Sequence, residues 1–377
     1  QAEDGIRDIG VTGVQTCALP IFLPEAKVDH LFLNKLTTYK QIKEASKRGY
    51  DIFVNLCEGY LDWSVPSIDV IQTLELLELP YTGPNVYLYD PEKELMKYVA
   101  YTAGVNTPKY KVVQDLSDIS VLPSGLSFPL FVKPSKAGDS LGVDDFSLVH
   151  DESALNSKIS SILIEHDSAL VEEYIDGREF TVLVARNKNG SVDALEPVEY
   201  VFPEGRKYKT YALKTSELHP DSNVRVQDTL LSEELKSMAI RVFNGFGGVG
   251  YARMDFRADR SGILYFLEIN FTCSIFYKEG YEGSADHILK VSGKKPREFL
   301  MAIIEEGLAR HDKNAKKHTL KGDSISGYGI YAKSNIQKGE VVFRGEGRPQ
   351  RLITLSYVQK HWNEQDLENF RRYAYPL

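Results

Sequence analysis

Two short stretches that alternate with period two constrain this chain more than anything else in it. Gly250-Tyr251-Ala252-Arg253-Met254-Asp255-Phe256 and Tyr265-Phe266-Leu267-Glu268-Ile269-Asn270 each read as a strand. Between them Asp259-Arg260-Ser261-Gly262 is a turn signal, so the pair predicts a β-hairpin. Side chains two apart on a strand share a face. Glu268 and Asn270 therefore point the same way, and Asp255 joins them from the partner strand. Two carboxylates and an amide oxygen on one face repel each other unless a cation sits among them. Hard oxygen ligands of this kind suit magnesium held together with substrate phosphates. The hairpin implies a nucleotide-dependent enzyme.

The rest of the composition narrows the class. A chain of 377 residues has room for two or three domains, and 42% hydrophobic with 26% charged residues is globular usage. A net charge of -8 argues against a general nucleic-acid binder while leaving room for a local basic cleft. The cysteines Cys17, Cys57 and Cys273 form no C-x-x-C, which fits a reducing, cytoplasmic setting without a disulfide or zinc framework. No apolar run reaches the length of a membrane span. Residues 1–21 resemble translated sequencing-adapter read-through more than a signal peptide, because their start is acidic and no compact apolar core follows. The fold argument begins at Phe22.

The expected class is α/β. Residues 22–90 read as a truncated N-terminal α/β domain, with a short buried strand at 50–56 and a helix from Ser67 to Leu79 stopped by Pro80. A second helix has Asp90 as N-cap, Pro91 at its first position and Gly104 at its end, with Leu95, Val99 and Ala103 on one face. Lys97 lies on its flank, where a lone lysine is ordinarily a solvated charge. Residues 129–134 form a strand, followed by the loop Ser135 to Gly142 and resumed alternation from Val143 to Val149. By itself that loop is either a phosphate cover, whose glycines free backbone N–H groups, or a plain hairpin. Leu170 to Val182 is strand, bend, strand, which suggests a crossing between a domain at 91–177 and one at 178–309. Ser232 caps an amphipathic helix reaching Gly248, and Pro296 to Ala309 is a last helix. Residues 310–324 read as a linker, and 325–377 as a separate unit of short strands.

In this order the motifs resemble the ATP-grasp superfamily over residues 50–310, and most closely its D-alanine–D-alanine ligases. The resemblance implies an ATP-grasp fold and an ATP-dependent carboxylate–amine ligase working through an acyl phosphate. Its cofactors are ATP and magnesium, with manganese as a substitute. The resemblance implies a role for each matching residue. Lys97 and Lys133 are the nucleotide-phosphate lysines. Gly138, Ser140 and Gly142 belong to the glycine loop over the phosphates. Glu172, Glu173 and Ile175 form the adenine hinge, and Glu179 holds the ribose. Lys214 reaches the γ-phosphate, Arg253 steadies the oxyanion, and Asp255, Glu268 and Asn270 hold the metal. The substrates it implies are small amino-acid-like molecules, with no nucleic acid and no membrane, and it favours a homodimer.

The chain departs from that pattern in several places. Asn270 is followed by Phe271-Thr272-Cys273-Ser274 without Pro-Gly, and Leu56-Cys57-Glu58-Gly59 stands where the ligases carry His-Gly and Gly-Glu-Asp-Gly. The opening strand, with the glutamate that holds the first amino acid, is absent. Finally, Gly327-x-Gly329-Ile330-Tyr331-Ala332 and Ile336-x-Lys338-Gly339-Glu340 resemble the start of a SET domain, a partial one that ends before its catalytic motifs. That resemblance implies a fragment of a protein lysine methyltransferase, using S-adenosylmethionine if the domain is complete, beside a nucleotide-binding module.

Overall fold

The computed structural model describes residues 22–59, 64–119, 125–136, 138, 141–208, 222–277, 280, 282–315, 318–323, 327–340, 358–360, 362–364 and 367. The adapter-like reading of residues 1–21 lies outside them. The chain divides between Asn314 and Ala315 into two compact units.

The first unit opens with α1 (Thr38–Ser46) and α2 (Ile68–Leu76), whose Ile42, Val70, Ile71 and Leu74 form a small core. The strand expected at 50–56 is a single parallel bridge, Phe53 to Tyr81. Among the described residues its backbone partners are Pro80 and Thr82, and Gly83-Pro84 ends that neighbour after one rung. Helix α2 stops three residues before Leu79. Glu78 adopts φ 51, and Leu79 N–H reaches back to Leu74 C=O, a left-handed close of the helix.

Helix α3 (Lys93–Thr102) starts later than expected. Asp90 is itself left-handed (φ 46), so the cap position falls to Glu92 and Lys93 becomes the first helical residue. The buried face is Lys93, Met96, Lys97 and Ala100, whereas Leu95 is exposed, which rotates the expected apolar stripe. Gly104 (φ 68) closes the helix as expected.

A four-stranded antiparallel sheet follows, built from β1 (Tyr110–Val113), β2 (Leu130–Pro134), β3 (Leu148–Val149) and β4 (Ala169–Glu173) in the order β1-β4-β2-β3. The expected strand at 143–149 shrinks to two residues, because Asp144 and Ser147 close a turn before it. Helix α4 (Glu152–Glu165), capped by Asp151, covers one face. There Leu130, Val132, Ala169 and Val171 meet Leu155, Ile159 and Ile162. Phe131, Lys133, Leu170 and Glu172 occupy the other face by alternation.

A six-stranded antiparallel sheet carries the rest: β5 (Gly177–Arg186), β6 (Val192–Ala194), β7 (Val198–Tyr200), β8 (Asn223–Arg225), β9 (Tyr251–Asp259) and β10 (Leu264–Asn270). Between β8 and β9 runs α5 (Thr229–Gly245). Asp228 caps it through Leu230 and Leu231 N–H, so Ser232 lies inside the helix rather than at its start. Phe180, Val182, Val184, Ala252, Met254 and Phe256 pack beneath α3 and α5. The opposite face carries Leu183, Ala185 and Tyr251 under α6 (Ser284–Val291) and α7 (Pro296–Asn314). Beyond those helices the same face turns polar. Gly250 (φ 65) leads into β9 with its Cα against the backbone of Gly83, where an added Cβ would lie 2.6 Å from the Gly83 oxygen.

Helix α7 runs through residues 310–314, so the expected linker begins inside a helix. Arg310 is held there by the carbonyls of Tyr81 and Gly83. The second unit contains the antiparallel pair β11 (His318–Asp323) and β12 (Gly327–Ala332). Strand β11 lies where linker was expected, and β12 matches the expected strand. The part of the SET-like segment at 341–357 lies outside the described residues.

Candidate active site

The hairpin β9–β10 is the floor of the site. Its register pairs Glu268 with Asp255 and Asn270 with Arg253. A β-bulge at Leu267 makes this possible. Phe266 and Ile269 both face the core under α3, and only an extra residue between them lets Glu268 and Asn270 turn to the polar face. Next to β9 lies β5, with Thr181 opposite Asp255 and Glu179 opposite Arg257. Asp255 Oδ1 and Thr181 Oγ1 are buried and have no hydrogen-bond partner among the described residues. A hard cation with its water satisfies both, so this corner fits magnesium. Asn270 turns its amide oxygen to Thr272, accepting from its N–H at 2.8 Å and from its hydroxyl at 3.3 Å. That leaves the oxygen one partly used acceptor. Arg253 lies 3.6 Å from Asp255.

The four-stranded sheet supplies the facing wall. Lys133, Glu172, Glu173, Tyr174 and Ile175 line one cavity with Glu179, Asp255, Arg257 and Glu268. Glu172 sits in central strand β4, where its backbone is paired with Tyr110 and Phe131. Its side chain bridges Lys97 and Lys133, each at 2.6 Å. Burial pushes the Glu172 carboxyl up, but the Lys133 and Lys97 charges prevail and hold it down at about 2. Lys133 keeps a face on the cavity, whereas Lys97 is 0% exposed and does not line it.

The cation that α3 does present is Lys93, which sequence reading missed. It lines the cavity 3.8 Å from Glu268, and burial lowers its pKa. Once Glu92 takes the cap, Lys93 is the first helical residue and its side chain points back past the helix start. Arg257 was also missed, although period two from Arg253 and Asp255 predicts its face. It donates to the carbonyls of Gly177 and Lys207, stacks on Tyr174, and lies 3.9 Å from Glu179.

The glycine loop is described in part. Leu141 N–H bonds Gly138 C=O, and Gly142 (φ 72) packs so tightly on Pro134 that an added Cβ would lie 2.6 Å from its ring. Buried Lys158 anchors the loop's end through Gly142 C=O at 2.9 Å and Asp144 at 2.8 Å. Ser140 and Lys214 lie outside the described residues. One more contact joins distant segments: Ser274, just past Asn270, donates to the Glu58 carboxylate.

Two antiparallel sheets enclose one cavity, with Lys133 and Glu172 on one side and Asp255 and Glu268 on the other, and they define an α/β protein that resembles the ATP-grasp fold. Comparison with known proteins specifies the family. Residues 99–276 match the family described as D-ala D-ala ligase C-terminus. The D-alanine--D-alanine ligase B of Pseudomonas syringae pv. tomato is 30% identical over 246 residues, 62% of this chain and 70% of that protein. The uncharacterized protein y4sG of Sinorhizobium fredii is 30% identical over 275 residues, 70% and 77% of the two chains. The crystal structure of the Bacillus anthracis D-alanine--D-alanine ligase complexed with ATP shares the fold, with a TM-score of 0.55 at 19% identity over 74% of this chain and 85% of that one. The chain belongs to the D-alanine–D-alanine ligase family.

Proposed function

We propose that the protein is an ATP- and magnesium-dependent ligase that joins two small amino-acid-like substrates through a C–N bond. The observation that carries this reading is the opposition of Asp255 and Glu268 to Lys93 and Lys133 around one cavity. Phosphoryl transfer needs charge neutralisation and alignment more than covalent chemistry from the protein. Asp255, Glu268 and Asn270 would hold the metal, which would supply positive charge against the phosphate oxygens. Lys93 and Lys133 face the phosphates; the family resemblance assigns Gly138, Ser140 and Gly142 to the phosphates as well and Lys214 to the γ-phosphate. Glu173 to Ile175 receive the adenine, and Glu179 the ribose hydroxyls.

The γ-phosphoryl group passes to a substrate carboxylate, giving an acyl phosphate and ADP. The amine of the second substrate then attacks the acyl carbon. Phosphate leaves with the bonding pair, and the amine loses a proton. Arg253 shares a face with Asp255 and steadies the oxyanion that forms on the acyl oxygen. The second substrate meets a surface unlike the usual one, because Glu58 and Ser274 stand at the altered loops.

A screen of ADP release over pairs of D- and L-amino acids tests this reading. Release that needs magnesium and a particular pair supports it. ATP binding without turnover on any pair reduces the protein to a nucleotide-binding module.

A further inference from the structure

From the geometry around Glu172 we infer that Lys97 is a positioning residue: it offsets the Glu172 charge so that Lys133 keeps a free positive charge facing the nucleotide phosphates. The inference rests on the ATP-site reading above. An ammonium that binds phosphate needs an open side, and Lys97 has none. Its Nζ meets Glu172 Oε2 at 2.6 Å and Thr107 Oγ1 at 3.2 Å, and lies 5.5 Å from the centre of the Tyr110 ring. The residue is 0% exposed. Lys133 shares the same carboxylate, through Oε1 at 2.6 Å, yet lines the cavity.

Charge balance gives the arrangement its purpose. Lys133 with Glu172 alone is neutral and attracts phosphate weakly. Adding Lys97 leaves the cluster with one net positive charge, and the only member of the lysine pair that reaches the cavity is Lys133. Glu172 in turn cannot rotate away, because each of its oxygens is engaged by one ammonium. The phosphate-facing lysine of α3 is then Lys93, one turn before Lys97 and on the cavity side.

The test compares ATP and adenosine affinities of wild type, Lys97→Met, and Lys97→Met combined with Glu172→Gln, with thermal unfolding measured on each. Lys97→Met should weaken ATP by about tenfold or more, the value of one charge-assisted contact, and leave adenosine unchanged. The double variant regains the single positive charge and should recover most of the lost ATP affinity. No recovery in a folded double variant identifies Lys97 as a direct phosphate ligand and overturns the inference. A parallel loss of adenosine affinity assigns Lys97 to packing alone, which also overturns it. Wild-type protein that binds ATP no better than adenosine removes the phosphate cavity itself, a separate failure of the reading beneath.

Discussion

Glu268 stands directly across the β9–β10 ladder from Asp255, in a register created by one extra residue at Leu267. Without that bulge Glu268 would share the face of Phe266, which is buried beneath α3. The arrangement places a carboxylate from each strand on one side of the sheet, with Lys93 3.8 Å from Glu268. Replacing Glu268 removes charge, not packing, since its side chain is 27% exposed. Glu268→Ala should abolish magnesium-dependent ADP release and leave thermal unfolding close to wild type. Unchanged activity at ordinary magnesium concentrations would sink the metal assignment.

Lys133 is the second lever. It contributes a buried charge to the cavity wall, and its removal leaves Glu172 paired with Lys97 alone. Lys133→Ala should weaken ATP by about 1.5–3 kcal/mol, the range for a hydrogen bond to a charged group. Isothermal titration with ATP and magnesium reads this directly, and an unaltered affinity would count against the placement of the phosphates.

How far the site was legible in sequence depends on which force set each residue. Period two puts Arg253 and Asp255 on one face of β9, because sheet alternation is local geometry, whereas the bulge that brings Glu268 to that face leaves no signal in the alternation. Arg257 follows from the same rule and was passed over. Lys97 and Lys93 differ by one turn, and only the left-handed Asp90, which moves the helix start to Lys93, decides which of them faces the cavity. That backbone choice comes from tertiary packing, not from capping preference, which favoured Asp90 itself. The partner of Lys97 was invisible for a similar reason. Glu172 lies 75 positions away in sequence, and a residue described by its hinge looked like an adenine contact rather than a counter-charge.

Acid should expose the Glu172 cluster. Its folded pKa of about 2 lies below the ordinary value of 4.5, so the stability it contributes is present above that value and is lost as pH falls toward 2. Urea unfolding of wild type should therefore weaken below about pH 5. In the double variant Lys97→Met with Glu172→Gln this component of the slope should vanish. A slope identical to wild type would show that other carboxylates govern acid unfolding.

Asp286 has the opposite sign. It accepts from Phe276 N–H at 2.8 Å and Gly283 N–H at 3.1 Å, yet burial pushes its pKa up to about 6. A raised folded pKa gives stability that is complete below the ordinary value of 3.8 and is lost as pH rises through about 6. Asp286→Asn should remove the decline between about pH 4 and 6. Its cost should appear as loosening at Phe276, a bulky residue held at φ 68. Unfolding curves across that pH range, with hydrogen exchange at Phe276, separate the two effects.

Arg257 ties the ribose end of the site together. It lies 3.9 Å from Glu179, donates at 3.0 Å to Gly177 and 2.9 Å to Lys207, and stacks on Tyr174. Removing it takes away its charge-assisted bonds to the Gly177 and Lys207 carbonyls, each about 1.5–3 kcal/mol, and its place beside Glu179. Arg257→Leu should therefore lower stability and ATP affinity together. If Glu179 holds the ribose hydroxyls, wild type should prefer ATP to 2′-deoxy-ATP, and the preference should shrink in the variant because Glu179 is no longer fixed. Equal binding of the two nucleotides by wild type would remove Glu179 from the ribose, and Arg257 would then be retained for the packing of β5 against β9 alone.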